Sequence, residues 1–291
     1  MDSTAIYNHV AERYSATARG DTSTHHVKIV AQAFGYSAEE LASIPSESNL
    51  GLGCGNPLAL ASLNPGETVV DLGCGAGFDV FLAAKKLGDS GKAIGVDMNE
   101  DMLTKARSNA SKTNITNVSF IKSRITCIDL PDASADVIIS NCVINLVPDK
   151  EKHYVFEEMH RILKPGGRVA VSDILTKKPL PEDMKQNVAL YVGCVAGASM
   201  KEEYEKWLSD AGFEDVAIVD TGSDLNVYTS GEVNIGCCSG VSEKKEEVPQ
   251  TCCGPKKDID GGVVQDMKRD LSNLDLNEWA GSFKIFAVKN P

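Results

Sequence analysis

One stretch constrains this chain more than any other: "VVDLGCGAGFDV", Val69 to Val80. A short β-branched run is followed by glycines at 73, 75 and 77 and then by the start of an amphipathic helix. Glycine lets the chain turn sharply and brings backbone N–H groups close to a ligand with no Cβ in the way. The alternation continues downstream. "AIGVD" precedes a helical pattern over 100–112, "VSFI" and "DVIIS" follow, and a helix over 150–163 leads through Lys164-Pro-Gly-Gly167 into "RVAVSD". Such βαβα order predicts an α/β, Rossmann-like parallel sheet with helices on both faces. Its ligand crevice lies at the strands' C-terminal ends, where the strand order reverses.

The flanks read differently. Apolar residues at helical spacing (Ile6, Val10, Tyr14, then Val27, Val30, Phe34), broken near Gly20, predict a helical arm over 1–47. Ser37 and Glu40 have the spacing of a capping box. The core is expected over 48–176, a substrate region over 177–230, and a cysteine-pair linker with a C-terminal segment over 231–291. Beyond the core, helices are expected over 180–190, 201–212 and 263–276. "VAIVD" and "LNVYT" read as strands, and "FKIFAVKN" as a strand rejoining the sheet.

With 41 acidic against 29 basic residues the net charge is −12, and no Lys/Arg cluster offsets it. That argues against a nucleic-acid or anionic-membrane partner and for a small molecule. No apolar run is long enough to span a bilayer and no leader pattern opens the chain, so a cytoplasmic monomer is expected. The nine cysteines are then expected as reduced thiols, given to soft-ion binding, redox chemistry or burial.

Two Gly-Cys-Gly motifs invite comparison. In the second, the loop Gly73-Cys74-Gly75 follows a strand ending in Asp71, and the next strand ends in Asp97, placed to accept hydrogen bonds from ribose hydroxyls. Cys74 offers the loop its backbone, while its thiol reads as packing. The first motif, "GLGCGNP", follows the loop sequence "IPSESNL" and precedes a proline suited to a helix start, so it is no second nucleotide cradle. It presents one thiol, Cys54. Asn141 and Cys142 end the strand "DVIISN" and point to the same crevice, and Cys194 follows in "GCVAGA". Tyr14 and Phe78 are aromatic candidates for flanking a cofactor. The five histidines have no metal-ligand spacing.

The order Asp71-x-Gly73-x-Gly75-x-Gly77, Asp97 and "LKPGGR" resembles the class I S-adenosylmethionine-dependent methyltransferases. "GLGCGNP", "DLGCGAGFD", "ISNCVINLVPDK" and "GCVAGA", in that order, further resemble the arsenite methyltransferases. The resemblance implies S-adenosylmethionine as donor. It places Asp71, Gly73, Gly75 and Gly77 on the methionine side, Asp97 with Met98 at ribose and adenine, and Ile125 with Thr126 beside the adenine. It implies Cys54, Cys142 and Cys194 as arsenic-binding thiols, with glutathione or thioredoxin as reductant. Many relatives carry a further cysteine upstream of "GLGCGNP"; none precedes Cys54 here. Relatives also often have Gly-Glu before the last of these cysteines, where this chain has Val192-Gly193.

Thiolates suit trivalent arsenic on softness alone, and a lone pair attacking a sulfonium methyl carries no proton, so no general base is required. Two other readings stand beside this one: a methyltransferase for a carbon or nitrogen acceptor, and a non-catalytic protein that sequesters arsenicals. Cys237-Cys238 and Cys252-Cys253 lack zinc-ribbon spacing and suit either soft-ion capture or a plain linker.

Overall fold

The computed structural model describes residues 2–20, 24–186, 194–228 and 275–291. Helices α1 (Ser3–Arg19), α2 (Thr24–Ala33) and α3 (Ala38–Ala42) form the N-terminal arm, and α4 (Leu58–Ala61) is one short turn after Pro57. Ser37 and Glu40 make the expected reciprocal capping bonds at α3. Then follow β1 (Thr68–Leu72), α5 (Phe78–Leu87), β2 (Lys92–Asp97), α6 (Glu100–Ser111), β3 (Val118–Lys122), β4 (Ala135–Asn141), α7 (Lys152–Ile162) and β5 (Leu163–Thr176). The chain continues with α8 (Glu182–Gln186), α9 (Lys201–Asp210), β6 (Phe213–Asp220) and β7 (Ala280–Lys289).

The seven strands pair in the order β3-β2-β1-β4-β5-β7-β6. From β3 to β5 every pairing is parallel; β7 runs antiparallel between β5 and β6. The chain winds outward from β1 to β3 and returns to start β4 on β1's other side, which puts the switch point between β1 and β4. Alternation along β1 sorts the core. Val70 and Leu72 join Phe156 and Met159 of α7 and Tyr204 and Leu208 of α9, whereas Val69 joins Val80, Phe81 and Leu87 of α5.

Two expectations change, and a third falls almost wholly outside the described residues. "LNVYT" is no strand: Leu225–Tyr228 is a 3-10 turn. There Leu225 donates its N–H to the Asn277 side chain, and Asn226 and Asn277 donate to Asp275 and Asp224. These bonds to the distant 275–277 segment, with Asp224 Oδ1 also accepting from Asn226 N at 2.9 Å, stand in place of a strand ladder. Lys164-Pro-Gly-Gly167 is no separate turn, because β5 already pairs at Leu163 with Ala135 and the register then shifts before Val137. Of the helix expected over 263–276 only the last residues are described, and Leu276 there opens a 3-10 turn. Both adjacent-cysteine pairs lie outside the described residues. No described helix is long and apolar enough to cross a membrane.

Candidate functional site

A cavity of about 150 Å³ opens at the C-terminal edge of the sheet beside the switch point. Its floor is the loop between β1 and α5, where Gly73, Gly75 and Gly77 have φ of +72°, +51° and +90°. L side chains rarely adopt such values, and here they let the N–H groups of Gly73 and Cys74 both reach the Val96 carbonyl, at 2.8 and 3.1 Å. Asp97 braces the loop. Its Oδ2 accepts from Gly75 N at 2.9 Å and its Oδ1 from Asn99 N at 2.8 Å, which leaves further lone pairs for a ligand.

The roof is α1. Asn99, the N-cap of α6, donates to the Ala11 carbonyl at 2.9 Å, Lys105 Nζ reaches the Ala18 carbonyl at 3.1 Å, and Tyr7 donates to Glu151 at 2.8 Å. These ties hold Tyr7, Val10 and Tyr14 over the cavity.

Three buried or nearly buried acids face one another there. Burial, followed by repulsion from Asp79 and Asp97, pushes Asp71 well above the usual carboxylate range. Burial pushes Asp79 up to about 6, against the hydrogen bonds it accepts from Tyr36 (2.6 Å) and Asn141 (3.2 Å). Asp97 is raised by burial despite its backbone partners. Clustered carboxylates of this kind fit a cationic ligand, because a positive charge relieves both the desolvation and the mutual repulsion. S-adenosylmethionine, with an ammonium and a sulfonium, has that chemistry.

Of the residues singled out in the sequence, Asp71, Gly73, Cys74, Gly75, Asp97, Met98, Ile125, Asn141 and Cys142 line the cavity, as do Tyr14 and Phe78. Gly77 is not among its walls; it opens α5, and a Cβ there would lie 2.8 Å from Phe81. Thr126 instead hydrogen-bonds the Tyr7 hydroxyl. Tyr36, Asp79, Arg124 and Asn99 were not anticipated. Asp79 stands inside the glycine motif, where an acid on the first turn of a helix after such a loop is a usable signal. Tyr36 gave none.

Behind the cavity the thiols converge. The loop 51–55 is wedged against the ends of β4, β5 and β7: Cys54 donates its N–H to Asn141 Oδ1 at 3.1 Å, and Ser282 Oγ donates to the Cys54 carbonyl at 2.8 Å. A Cβ on Gly53 would lie 2.7 Å from Asn141 Nδ2, and one on Gly55 2.6 Å from Ser172 Cβ. Glycine on both sides of Cys54 is therefore a requirement of close approach. Cys54 and Cys142 are joined in a disulfide with Cα atoms 5.8 Å apart, contrary to the expectation of free thiols. The fold holds them within ordinary bonding reach. One Asp173 carboxylate oxygen lies within 4.8 Å of both sulfurs.

Cys194 is a free thiol, 3% exposed, in the same buried cluster as the other two. Its Sγ donates to the Cys142 carbonyl at 3.0 Å, and the Tyr14 hydroxyl hydrogen-bonds its sulfur. Burial, then the charge of Asp173, pushes this thiol up, with Tyr14 pulling the other way. Cys142 and Cys194 have φ of +59° and +66°. For non-glycine residues that costs on the order of 1 to 3 kcal/mol each, strain that concentrates at working sites. Cys54 and Cys194 are not cavity walls; they stand behind Cys142. His160 packs on Phe213 beside Lys289, remote from the cavity, and the side chains of His25 and His26 lie outside the description.

Known proteins agree with this architecture. The methyltransferase-domain family matches residues 63–212. An arsenite methyltransferase of Halobacterium salinarum is 48% identical over 187 residues, 64% of this chain and 47% of the relative. That of Aquipseudomonas alcaligenes is 38% identical over 58% of this chain and 49% of its own length. This chain thus spans about half the length of both relatives. Among solved structures, an arsenic(III) S-adenosylmethionine methyltransferase from Chlamydomonas reinhardtii superposes with a TM-score of 0.53 at 24% identity, over 94% of this chain and 75% of that one, and shares the fold. With its glycine loop, strand order and more than half its length matched, the chain belongs to the methyltransferase-domain family.

Proposed function

We propose that this protein methylates trivalent arsenic from S-adenosylmethionine, with Cys54, Cys142 and Cys194 as the arsenic-binding thiolates. The observation that carries the reading is the meeting of three buried cysteine sulfurs, from a loop, a strand end and a distant turn, behind one acid-lined cavity. The names of the arsenite methyltransferase relatives support it. Asp71, Asp97, Met98, Ile125, Asn141 and the backbone of Gly73, Cys74 and Gly75 hold the cofactor, Asp79 and Tyr36 adding to the acidic end.

When bound, S-adenosylmethionine supplies a methyl group on a cationic sulfur, an electrophile for a lone pair. The chain's part is positioning. Three thiolates grip arsenic and leave its lone pair outward, the acids hold the positive charge, and α1 excludes water. The thiols must first be free. Opening the Cys54–Cys142 bond takes two electrons and two protons from an external thiol donor, glutathione or thioredoxin, whose own thiols end as a disulfide.

Labelled S-adenosylmethionine with glutathione, offered arsenite and monomethylarsonous acid in separate reactions, tests the reading. Methylated arsenic is expected from at least one. Transfer to neither by protein that binds S-adenosylhomocysteine would leave a carbon or nitrogen acceptor as the better account.

A further inference from the structure

The segment that carries Cys142, "SNCVINLVPDK", and the lysine just beyond it contain polar residues the thiol chemistry leaves unexplained. Asn145 and Lys152 are both 0% exposed. A buried ammonium is costly unless fully partnered, and Lys152 is the first residue of α7, the helix end that disfavours a cation. Its partners account for it. Lys152 Nζ donates to the Gly197 carbonyl, to Ser199 Oγ at 2.9 Å and to Asp149 at 2.6 Å. Asn145 Nδ2 donates to the Cys194 carbonyl at 3.3 Å, to the Ile174 carbonyl at 2.6 Å and to Asp173 Oδ1 at 2.8 Å. Tyr204 donates to the other Asp173 oxygen at 3.0 Å.

Residues 194–199 contain no helix or strand that would fix them. They are gripped at both ends instead, by Asn145 at Cys194 and by Lys152 at Gly197 and Ser199, while Cys194 sits in a left-handed conformation that must be held. We propose that Asn145 and Lys152 are positioning residues for Cys194: they hold the 194–199 turn by its carbonyls and so keep the third thiol against Cys142. The proposal rests on the reading of Cys194 as a substrate thiol. It also explains why one continuous segment bears both groups of residues: three residues after Cys142, the chain reaches back to set the partner thiol.

The test uses the full chain, reduced, with Lys152→Met, which keeps the aliphatic stem, and Asn145→Ser. Iodoacetamide labelling of each cysteine is followed by mass spectrometry without arsenic present, and kcat and KM are then measured with monomethylarsonous acid. Cys194 should be labelled about tenfold faster in either variant, with Cys142 labelling and S-adenosylhomocysteine affinity within about threefold of the parent. kcat should fall about tenfold or more while KM for the cofactor holds. Where Lys152→Met fails to fold, Ser199→Ala removes a single partner and carries the same expectation on a smaller scale. Unchanged Cys194 labelling in a folded variant overturns the proposal, as does an equal rise at Cys142 and Cys194, which is general loosening. Because labelling needs no arsenical, a parent protein that methylates no arsenic while Cys194 still depends on Lys152 refutes the proposed substrate, not this role.

Discussion

The loops around Cys54 and Cys74 share the same Gly-Cys-Gly letters and use glycine for different reasons. At 73 and 75 the glycines have positive φ, and they shape the backbone that faces the cavity. At 53 and 55 φ is not positive and the need is closeness alone: a Cβ would strike Asn141 or Ser172. The thiols diverge accordingly. Cys54 is held against Cys142, whereas Cys74 turns toward β2, where a Cβ on Gly95 would lie 2.7 Å from its sulfur. Backbone φ, positive at 73 and 75 and not at 53 and 55, separates the two loops.

The largest expected effects separate the loops by chemistry. Cys142→Ser or Cys194→Ser should cut methylation of every arsenical on the order of a hundredfold or more, since a hard hydroxyl replaces a soft thiolate. Cys54→Ser should harm inorganic arsenite most, because a monomethylated substrate needs only two protein thiolates. Product speciation reads this, with circular dichroism to exclude unfolding. Full turnover by folded Cys142→Ser would falsify the thiolate site.

Next come the glycines. Gly55→Ala should reduce arsenical turnover and cost about 1 to 3 kcal/mol of stability by overpacking Ser172, with cofactor affinity retained. Gly73→Ala, where the Cβ would sit 2.4 Å from Val143 at a φ of +72°, should instead weaken S-adenosylhomocysteine binding. Asp97→Ala should act in the same direction by about 1 to 3 kcal/mol, through an unbraced Gly75 and the loss of carboxylate lone pairs open to a ligand. Calorimetry and turnover on the same samples decide; identical profiles for Gly55→Ala and Gly73→Ala would break the comparison.

Electrostatics gives a subtler effect, shared by both regions: burial raises Asp79 beside the glycine loop to about 6 and Asp173 beside the thiols to about 7. Asp79 titrates at about 6 in the folded chain against a usual 3.8, so the fold binds its proton more tightly than the unfolded chain does. Its contribution is fully present below pH 3.8 and is lost as pH rises through 6, a loss on the order of 2 to 3 kcal/mol for a shift of about two units. Denaturant melts between pH 4 and 8 should show this decline, and Asp79→Asn should remove only its share, because burial also raises Asp71, Asp97 and Asp173, the last to about 7. A cationic cofactor should offset the decline, so its affinity should rise over the same interval.

Much of this was legible. Local rules fixed the β1–loop–α5 unit, the α3 capping box and the acid at the end of β2, because each depends on residues a few positions apart. The disulfide partners are 88 residues apart and meet only through the crossover that sets β4 beside β1 and β5. Tyr36 on Asp79 and Lys152 on Gly197 are likewise tertiary pairings with no local pattern. "LNVYT" misled because its apolar alternation is real while the asparagines and aspartates around it pair with a segment about fifty residues away. The fold's outline follows from periodicity, and the site's polar wiring follows from topology.

Cys74→Ala should have the smallest effect, and it tests whether sharing a motif with Cys54 means anything. Cys74 is 6% exposed, clustered with Val69, Phe81 and Leu103, and burial raises its thiol well above the ordinary range. Cys74 lies in a different buried cluster from Cys54, Cys142 and Cys194, so its sulfur has no neighbouring thiol with which to grip arsenic. Deleting one sulfur atom there leaves a small void beside Gly95, worth about 1 kcal/mol at the low end of buried truncations. The loop's φ values and the N–H groups of Gly73 and Cys74 are untouched, so cofactor affinity should stay within about threefold. Labelling of Cys142 and Cys194 should not change. If Cys74→Ala lowered arsenical turnover as Cys54→Ser is expected to, both loops would be delivering thiols to substrate, and the division between them would fail at its simplest point.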